Sequence, residues 1–334
     1  MYGRIHPRIP CLGQFRKCPL SDPFYSHALY NKGMKNTHIE HPEDSILTGD
    51  LSVLDWFVTS GKLSVKIDGA PAIVWGTNPA NGQFFVGTKS VFNKFKIKIN
   101  HHHSDVDRNH QGQVADILHK CLDYLPFTTG IYQGDFIGSG GTNSFNPNTI
   151  RYDFPDKVSQ EIVIAPHTYY IADKDLRDAV AYPLQFNLES DDDVLFVQPE
   201  VSISDERDSI IERCQFARQI ATLCEFASDK QLPRIKKQLN TCIREDVEID
   251  DLTLEALAID NNIDVNVLRL WQLVRSIKWD MFPLIERDAD IECYINDEEC
   301  DHEGYVMSNK FGTFKIVNRK IFSYANFAIS RSRV

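Results

Sequence analysis

The stretch "GKLSVKIDGAPAIVWG", residues 61–76, places two charged side chains inside a run of β-branched and apolar residues. A run of this kind, bounded by glycines, predicts a strand that enters a hydrophobic core. Lys66 and Asp68 lie in the middle of it. An ammonium group is costly to bury unless it is paired or takes part in chemistry. Lys66 is therefore the first candidate for a functional residue.

The elements around this stretch predict an α+β fold. Short β-branched and aromatic runs predict strands from about residue 46 to 172, with one helix at 113–125. Apolar residues at helical spacing follow between 204 and 282, and strands return from 290 to 318. A strand domain that resumes after a helical interval predicts an inserted subdomain. The predicted parts are a basic N-terminal arm at 1–45, a catalytic body at 46–203 and 283–334, and a helical insert at 204–282.

Composition narrows the class of protein. The chain of 334 residues is 42% hydrophobic, and no apolar run approaches the roughly 18 residues of a membrane span, so we expect no membrane partner. The N-terminus lacks the apolar segment of a secretory signal. Eight cysteines are scattered without C-x-x-C pairs, which favours reduced thiols over a disulfide frame or zinc site. These features predict a cytoplasmic protein, located in the host cytoplasm if a virus encodes it.

The net charge of −11 argues against a nucleic-acid partner, but the charge is unevenly distributed. Residues 1–36 carry six Lys or Arg against one Asp. A second basic run, "FFVGTKSVFNKFKIK" at 84–98, interleaves lysines with Phe85, Phe92 and Phe95. Surfaces that bind single strands have this pattern, and a buried strand whose lysines reach solvent would have it too. The net charge therefore does not exclude a local basic groove for nucleic acid.

Four short motifs with charged residues follow one another along the chain. Alone, K-x-D-G would fit a turn whose lysine reaches solvent, but four motifs in order are more specific. Lys89, at the end of a predicted strand, follows the first motif. The motifs are K-x-D-G at 66–69, the acid of "YQGDFIG" at Asp135, E-G-x-V at 303–306, and the lysine of "FKIVNR" at Lys315.

In this order the motifs resemble those of the covalent nucleotidyltransferase superfamily, which comprises ATP-dependent DNA and RNA ligases and mRNA capping enzymes. The run at 64–94 also looks like ligase-like proteins of large tailed phages. The resemblance covers about 46–172 and 290–323. It implies an ATP-grasp-like nucleotidyltransferase domain of mainly antiparallel sheets flanked by helices. No OB-fold domain is expected, because only 19 residues follow Lys315.

The resemblance implies an ATP-dependent polynucleotide ligase, with RNA end-joining favoured and DNA as the other nucleic acid. Its catalytic residues would be Lys66, which attacks the α-phosphate and carries AMP, together with Asp68 and Lys315. Asp135 would bind the ribose, and Glu303 with Asp135 would hold Mg²⁺ or Mn²⁺. The implied nucleotide-binding set is Lys66, Gly69, Lys89, Asp135, Tyr169 as the adenine-stacking aromatic, Glu303, Lys315 and Arg319.

The chemistry sets an expectation for the pKa of the nucleophile. An amine must be neutral to attack, so the pKa of Lys66 must fall from its ordinary value of ~10.4. Burial in an apolar strand disfavours the charged form, and nearby cations do the same. We therefore expect burial and the neighbours Lys89 and Lys315 to lower the pKa of Lys66.

Two departures from the family pattern keep other functions open. Asp135 stands where glutamate is usual, and Val317 replaces the second lysine of the last motif, a charge that Arg319 or Lys320 could supply. The alternatives are a DNA ligase, a capping-like or protein-modifying nucleotidyltransferase, and an inactive nucleotide- or nucleic-acid-binding module. The insert could bind RNA or a protein partner, or its charges could form a solvated helix face. The charged residues in question are Arg234, Lys236, Lys237 and Arg244.

Overall fold

A computed structural model describes residues 39–286, 290–300 and 303–319. Most of the predicted basic arm, and Lys320, lie outside these residues. The fold is α+β, with antiparallel sheets and helices, as the sequence predicts. None of the helices in the described part of the chain is both long and apolar enough to cross a membrane.

The described strands and helices follow one another with short connections. The strands are β1 Lys62–Val65, β2 Ala72–Thr77, β3 Phe84–Gly87, β4 Ile131–Ser139, β5 Ser144–Phe145, β6 Arg151–Asp153, β7 Ile162–Ile171, β8 Val180–Pro183, β9 Val194–Phe196, β10 Glu200–Ile203, β11 Ile285–Glu286, β12 Glu292–Ile295, β13 Glu298–Cys300, β14 Gly304–Asn309 and β15 Gly312–Val317. The α-helices are α1 Pro42–Ser45, α2 Ser52–Val58, α3 His103–Asn109, α4 Gly112–Tyr124, α5 Asp208–Ala221, α6 Leu232–Arg244, α7 Asp251–Asn261 and α8 Val265–Met281. Short 3-10 turns occupy Ile46–Thr48, Lys89–Phe92, Leu176–Asp178 and Phe282–Leu284.

Two larger sheets carry the body of the protein. The first, here called sheet 1, has the order β11-β10-β1-β14-β15 and is antiparallel throughout. Sheet 2 has the order β3-β2-β4-β7-β8, and β9 pairs with β7 in parallel. A smaller sheet 3 has the order β13-β12-β6-β5. Because β1 pairs with β14, sheet 1 joins chain segments from both sides of the helical region.

The helical region begins and ends close to its predicted bounds. Its helices α5 to α8 span residues 208–281, and the predicted core residues Leu268, Trp271 and Ile277 are fully buried. They belong to one hydrophobic cluster with residues of α2, β1, β14 and β15. Arg234 is exposed and pairs with Asp260, whereas Lys236 is partly buried and pairs with Glu40 at the start of the described chain.

The folded body begins before residue 46, because helix α1 buries two acids that we assigned to the arm. Glu43 is fully buried and lies 2.6 Å from the Nζ of Lys278 and 3.2 Å from the Nη2 of Arg319. Asp44 accepts a hydrogen bond of 3.0 Å from the Trp271 indole and lies 2.8 Å from Arg319. These side chains form a buried ion-pair cluster. It connects α1, α8 and the residues that follow β15.

Candidate active site

A pocket of about 410 Å³ is lined by residues of both larger sheets. It contains most of the charged residues that the sequence motifs identify. Two of its lysines come from the segments after β1 and β3, and a third comes from β15. Three carboxylates complete the charged lining of the pocket. The predicted residues that line it are Lys66, Asp68, Lys89, Asp135, Glu303 and Lys315.

The pairing of β1 with β14 brings the first and third motifs together. Lys66 follows the last residue of β1, and its N–H donates to the carbonyl of Gly304 at 2.9 Å. Its Nζ lies 2.6 Å from Glu303 Oε2 and also donates to Asp68 Oδ1. Gly304 has φ of +140°, and a Cβ there would overlap the carbonyl of Ile316, so a glycine is required beside Glu303. Because β1 ends at Val65, Lys66 lies at the end of the strand rather than inside it. Its side chain is 18% exposed.

Strand register delivers Lys315 to the same face. Ser64, Val306 and Lys315 lie directly opposite one another across β1, β14 and β15. Directly opposed residues in an antiparallel sheet project to the same side, and all three line the pocket. The Lys315 N–H donates to the carbonyl of Glu40 at 3.0 Å, which ties this strand to the start of the described chain.

The loop between Lys66 and β2 is held against sheet 2 at Gly69. The Gly69 N–H donates to Asp135 Oδ2 at 3.4 Å, and a Cβ at this position would overlap the carbonyl of Phe136. The Asp68 N–H donates to the Tyr152 hydroxyl at 3.0 Å, and the Asn148 amide donates to the Asp68 carbonyl at the same distance. Tyr152 and Asn148 were missed by the sequence analysis because no motif surrounds them.

A polar network from β4 and β7 forms another part of the pocket wall. Gln133 Oε1 accepts from the Tyr170 hydroxyl at 2.6 Å, and its Nε2 lies 3.4 Å from Nε2 of His167. His167 Nε2 is 3.7 Å from Asp135 Oδ1, which links the network to the predicted ribose ligand. Pro183 and other apolar residues line the pocket with it. The sequence analysis assigned no role to Gln133, His167 or Tyr170.

The expectation of a lowered pKa at Lys66 is wrong. Burial alone would lower the pKa of Lys66, but the carboxylates of Asp68 and Glu303 hold it above its ordinary value. The depressed amine is instead Lys315, whose pKa is lowered by burial and by the nearby charges of Lys66 and Arg319. The nucleophile candidate is therefore an ammonium paired with two acids.

Two carboxylates that share one ammonium cannot both remain charged without cost. Burial and the hydrogen bond with Asp68 raise the pKa of Glu303 to about 8. Burial opposes ionisation of Asp68 as well, but hydrogen bonds with Glu303 and Lys66 and the charge of Lys66 hold its pKa below the ordinary value. The shared site thus shifts the two pKa values in opposite directions, that of Glu303 upward and that of Asp68 downward.

Comparisons with known proteins give the chain a family but no activity. A family of unknown function (DUF6267) matches it over residues 36–256 and 247–331. The chain belongs to this family. No curated protein and no solved structure matches it.

Three predicted nucleotide-binding residues, Gly69, Tyr169 and Arg319, do not line the pocket, although the Gly69 N–H donates to the pocket residue Asp135. Tyr169 packs on Tyr182, with ring centroids 5.4 Å apart, and its neighbour Tyr170 lines the pocket instead. Successive side chains of a strand project to opposite faces, so only one of the two tyrosines can face the pocket. Arg319 lies in the buried ion-pair cluster with Glu43 and Asp44.

The raised pKa of Glu303 predicts how stability depends on pH. The folded state keeps a proton on Glu303 up to about pH 8, whereas the unfolded chain releases it near pH 4.5. Between these values the folded state binds more protons, so this group's contribution to stability falls as pH rises. Its slope is at most about 1.4 kcal/mol per pH unit. We expect Glu303→Gln, which cannot ionise, to remove this slope in urea unfolding measured from pH 5 to 8.

The matched control for this prediction is Glu298→Gln, which changes an exposed glutamate of β13 in the same way. Its stability profile should run parallel to that of the wild type. A parallel profile for Glu303→Gln as well would mean that Glu303 titrates near its ordinary pKa in the folded protein.

Proposed function

We propose that this protein is an ATP-dependent nucleotidyltransferase that forms a covalent lysyl-AMP at Lys66 and acts as a polynucleotide ligase on RNA ends. One observation carries the proposal: four motifs that are far apart in sequence supply residues to a single pocket. Glu303 lies 237 positions after Lys66 and is nevertheless in hydrogen-bond contact with its Nζ. The cations Lys89 and Lys315 line the same pocket, where they can neutralise phosphate charge.

The proposed first step is a displacement at the α-phosphate of ATP. A bond forms between Lys66 Nζ and phosphorus while the bond from phosphorus to the pyrophosphate oxygen breaks, and pyrophosphate leaves. The ammonium loses two protons in all: one passes to Asp68 before attack, and the other leaves the nitrogen as the P–N bond forms and is taken up by the departing pyrophosphate. Asp68 is a carboxylate in hydrogen-bond contact with that nitrogen, so it is the proton acceptor that the geometry supports best. In the next step AMP passes to a 5′-phosphate, and a 3′-hydroxyl then displaces it.

The charge state of Lys66 places a requirement on nucleotide binding. Asp68 and Glu303 hold the pKa of Lys66 above its ordinary value, whereas attack needs the neutral amine. Lys315, whose pKa is lowered, is a neighbouring amine that adds positive potential near Lys66. Loss of a proton from Lys66 to Asp68 would leave a neutral nucleophile beside a protonated acid. The three side chains thus supply both the nucleophile and the destination of its proton.

The acids of the pocket fit a magnesium ion only in combination with phosphate oxygens. Within the described residues, no group of three or more His, Cys, Asp or Glu is arranged to hold a metal ion. Mg²⁺ in nucleotide enzymes is commonly bound by one or two carboxylates together with substrate phosphates and water. Glu303, with Asp68 or Asp135, meets that requirement, since all three line the pocket. The ion would neutralise charge on the phosphates as they are transferred.

The proposal is tested by incubating the protein with Mg²⁺ and ATP or GTP labelled at the α-phosphate. We expect label that survives denaturation, and peptide mapping that places it on the segment containing Lys66. A phosphoramidate bond should also release the label in acid. Label from GTP alone would assign a capping-like activity. No label from either nucleotide would leave an inactive binding module as the function.

The acceptor is decided by a second assay on the same protein. Nicked RNA, nicked DNA and single-stranded RNA with a 5′-phosphate should be compared as substrates. Sealing of RNA is the expected result. Sealing of DNA alone would assign a DNA ligase. Label on the protein without any sealing would favour transfer of AMP to another acceptor, such as a protein.

A further inference from the structure

A loop beside the pocket exposes an aromatic ring between two lysines. Residues 93–97 are exposed, and the side chain of Phe95 is 85% exposed. We call residues 93–98 the Phe95 loop. A single exposed apolar residue is common in soluble proteins, so exposure alone identifies no site. The surroundings of Phe95 give it a specific interpretation.

The base of the Phe95 loop is firmly attached to the body. Val86 and Asn100 exchange backbone hydrogen bonds of 3.0 and 3.1 Å. The Lys98 ammonium donates to the Asn109 carbonyl at 2.6 Å. Val91 is fully buried between these anchors. The loop therefore presents Phe95 from a fixed base, and the ring is not a core residue that has been displaced.

The same base reaches the wall of the candidate active site. Lys89, in the turn that begins this segment, lines the pocket. Phe92 packs against Tyr170, which also lines the pocket, with ring centroids 4.3 Å apart. Phe95 follows Lys89 by six residues, which span at most about 20 Å of extended chain. The exposed ring therefore lies within a few nucleotides' length of the pocket.

The charge of this segment differs from that of the whole chain. Residues 89–98 contain four lysines and no acid, whereas the chain carries a net charge of −11. Among the residues that the structure describes, Lys94 and Lys96 have no ion-pair partner. Two exposed lysines beside an exposed aromatic ring are suited to bind a polyanion that also carries aromatic rings. Single-stranded nucleic acid has that chemistry, since its phosphates attract lysines and its bases stack on aromatic rings.

We infer that the Phe95 loop is a binding site for single-stranded nucleic acid. Phe95 stacks on a base, and Lys94 and Lys96 contact the phosphates on either side. The strand bound there leads its end into the Lys66 pocket. This last point rests on the proposed function, whereas binding at the loop does not require that Lys66 be catalytic.

The inference is tested by fluorescence anisotropy with labelled single strands of about 12 nucleotides, RNA and DNA in separate arms. The full chain should bind at low salt. Phe95→Ala should weaken binding about 5- to 150-fold, the range expected for loss of one stacked base. Phe95→Trp, which keeps a flat ring, should retain binding. The arm with the higher affinity identifies whether RNA or DNA is the preferred strand.

The lysines are tested through the dependence of affinity on salt. Each phosphate contact to a single strand contributes about −0.7 to the slope of log affinity against log salt concentration. The double variant K94A/K96A should therefore reduce the slope by about 1.4. The matched double variant K157A/K230A removes two exposed lysines outside the Phe95 loop and should leave the slope unchanged. Phe216→Ala, at an exposed phenylalanine of α5, is the matched control for Phe95→Ala.

Three outcomes would overturn the inference. The first is absence of binding at low salt. The second is equal binding by Phe95→Ala and wild type, with circular dichroism showing that both proteins are folded. The third is displacement of the labelled oligonucleotide by poly-glutamate as readily as by unlabelled oligonucleotide. The last would assign the loop to acidic protein partners. Because Phe95 does not line the pocket, Phe95→Ala should still be labelled at Lys66. Loss of labelling in all proteins, with binding retained, would refute the proposed function and leave the loop's assignment intact.

Discussion

Replacing Lys66 by arginine is expected to abolish covalent labelling by ATP while leaving the fold intact. Arginine keeps the positive charge that Asp68 and Glu303 require, so the acids remain paired. Its guanidinium stays protonated at any usable pH and cannot act as a nucleophile. Loss of a covalent nucleophile reduces activity on the order of 10³-fold or more. The measurement is label retained on the denatured protein, with unfolding by urea as the test of stability.

The matched control is Lys310→Arg, at an exposed lysine in the turn between β14 and β15. It makes the same chemical change in the same sheet, and labelling should be unaffected. Lys66→Ala is informative in a different way. It should also lose labelling, but it leaves Asp68 and Glu303 without their shared cation. Label that persists in Lys66→Arg would place the covalent bond on another residue.

The sequence predicts the composition of the pocket better than it predicts its electrostatics. Motif order identified Lys66, Asp135 and Lys315, because the strands that carry them meet in adjacent sheets. Whether the pKa of Lys66 is raised or lowered depends on which carboxylates lie within hydrogen-bond distance of its Nζ. Glu303 reaches Lys66 only because β14 pairs with β1 in one particular register. A one-residue change in that register would project the side chains to the other face.

Tyr169 and Arg319 lie away from the pocket for local geometric reasons. Lys315 and Arg319 share a strand face in the sequence pattern, but β15 ends at Val317. The alternation of faces no longer applies beyond that point, so Arg319 can turn into the buried ion-pair cluster. The choice between Tyr169 and Tyr170 depends on the register of β7 against β4, which shifts between Gln133 and Gly134. No sequence signal identified that irregularity.

The helices were predicted where their apolar period is regular. Helix α7, at 251–261, lies inside the predicted helical interval, but its apolar spacing is irregular because Leu252 and Ile259 are apolar and exposed, at 75% and 81%. They obscure the spacing of its buried residues, Leu254 and Ala258. Burial of the two acids of α1, Glu43 and Asp44, has no signal in the sequence. Acidic residues before a helix ordinarily indicate a solvated start, and nothing in the sequence reveals that Glu43 meets Lys278.

Glu43→Gln is expected to destabilise the fold by about 3–5 kcal/mol, because removing one partner of a buried ion pair leaves an uncompensated charge. Burial alone would raise the pKa of Glu43, but Arg319 and Lys278 hold it below its ordinary value, so the group is charged in the folded protein. Without it, Lys278 is a buried amine beside the cation Arg319. Arg319 keeps Asp44 as a partner. Urea unfolding at about pH 7 measures the loss.

The dependence of this loss on pH distinguishes an electrostatic cause from a packing defect. Burial already lowers the pKa of Lys278, and loss of Glu43 removes the charge that opposes that effect. An amine whose pKa is lower in the folded state than in the unfolded state contributes stability that increases as pH rises toward ~10.4. The deficit of Glu43→Gln should therefore shrink between about pH 7 and about pH 9.5. A packing defect would leave it constant. Glu255→Gln, at an exposed glutamate that pairs with Arg269, should change stability little at either pH.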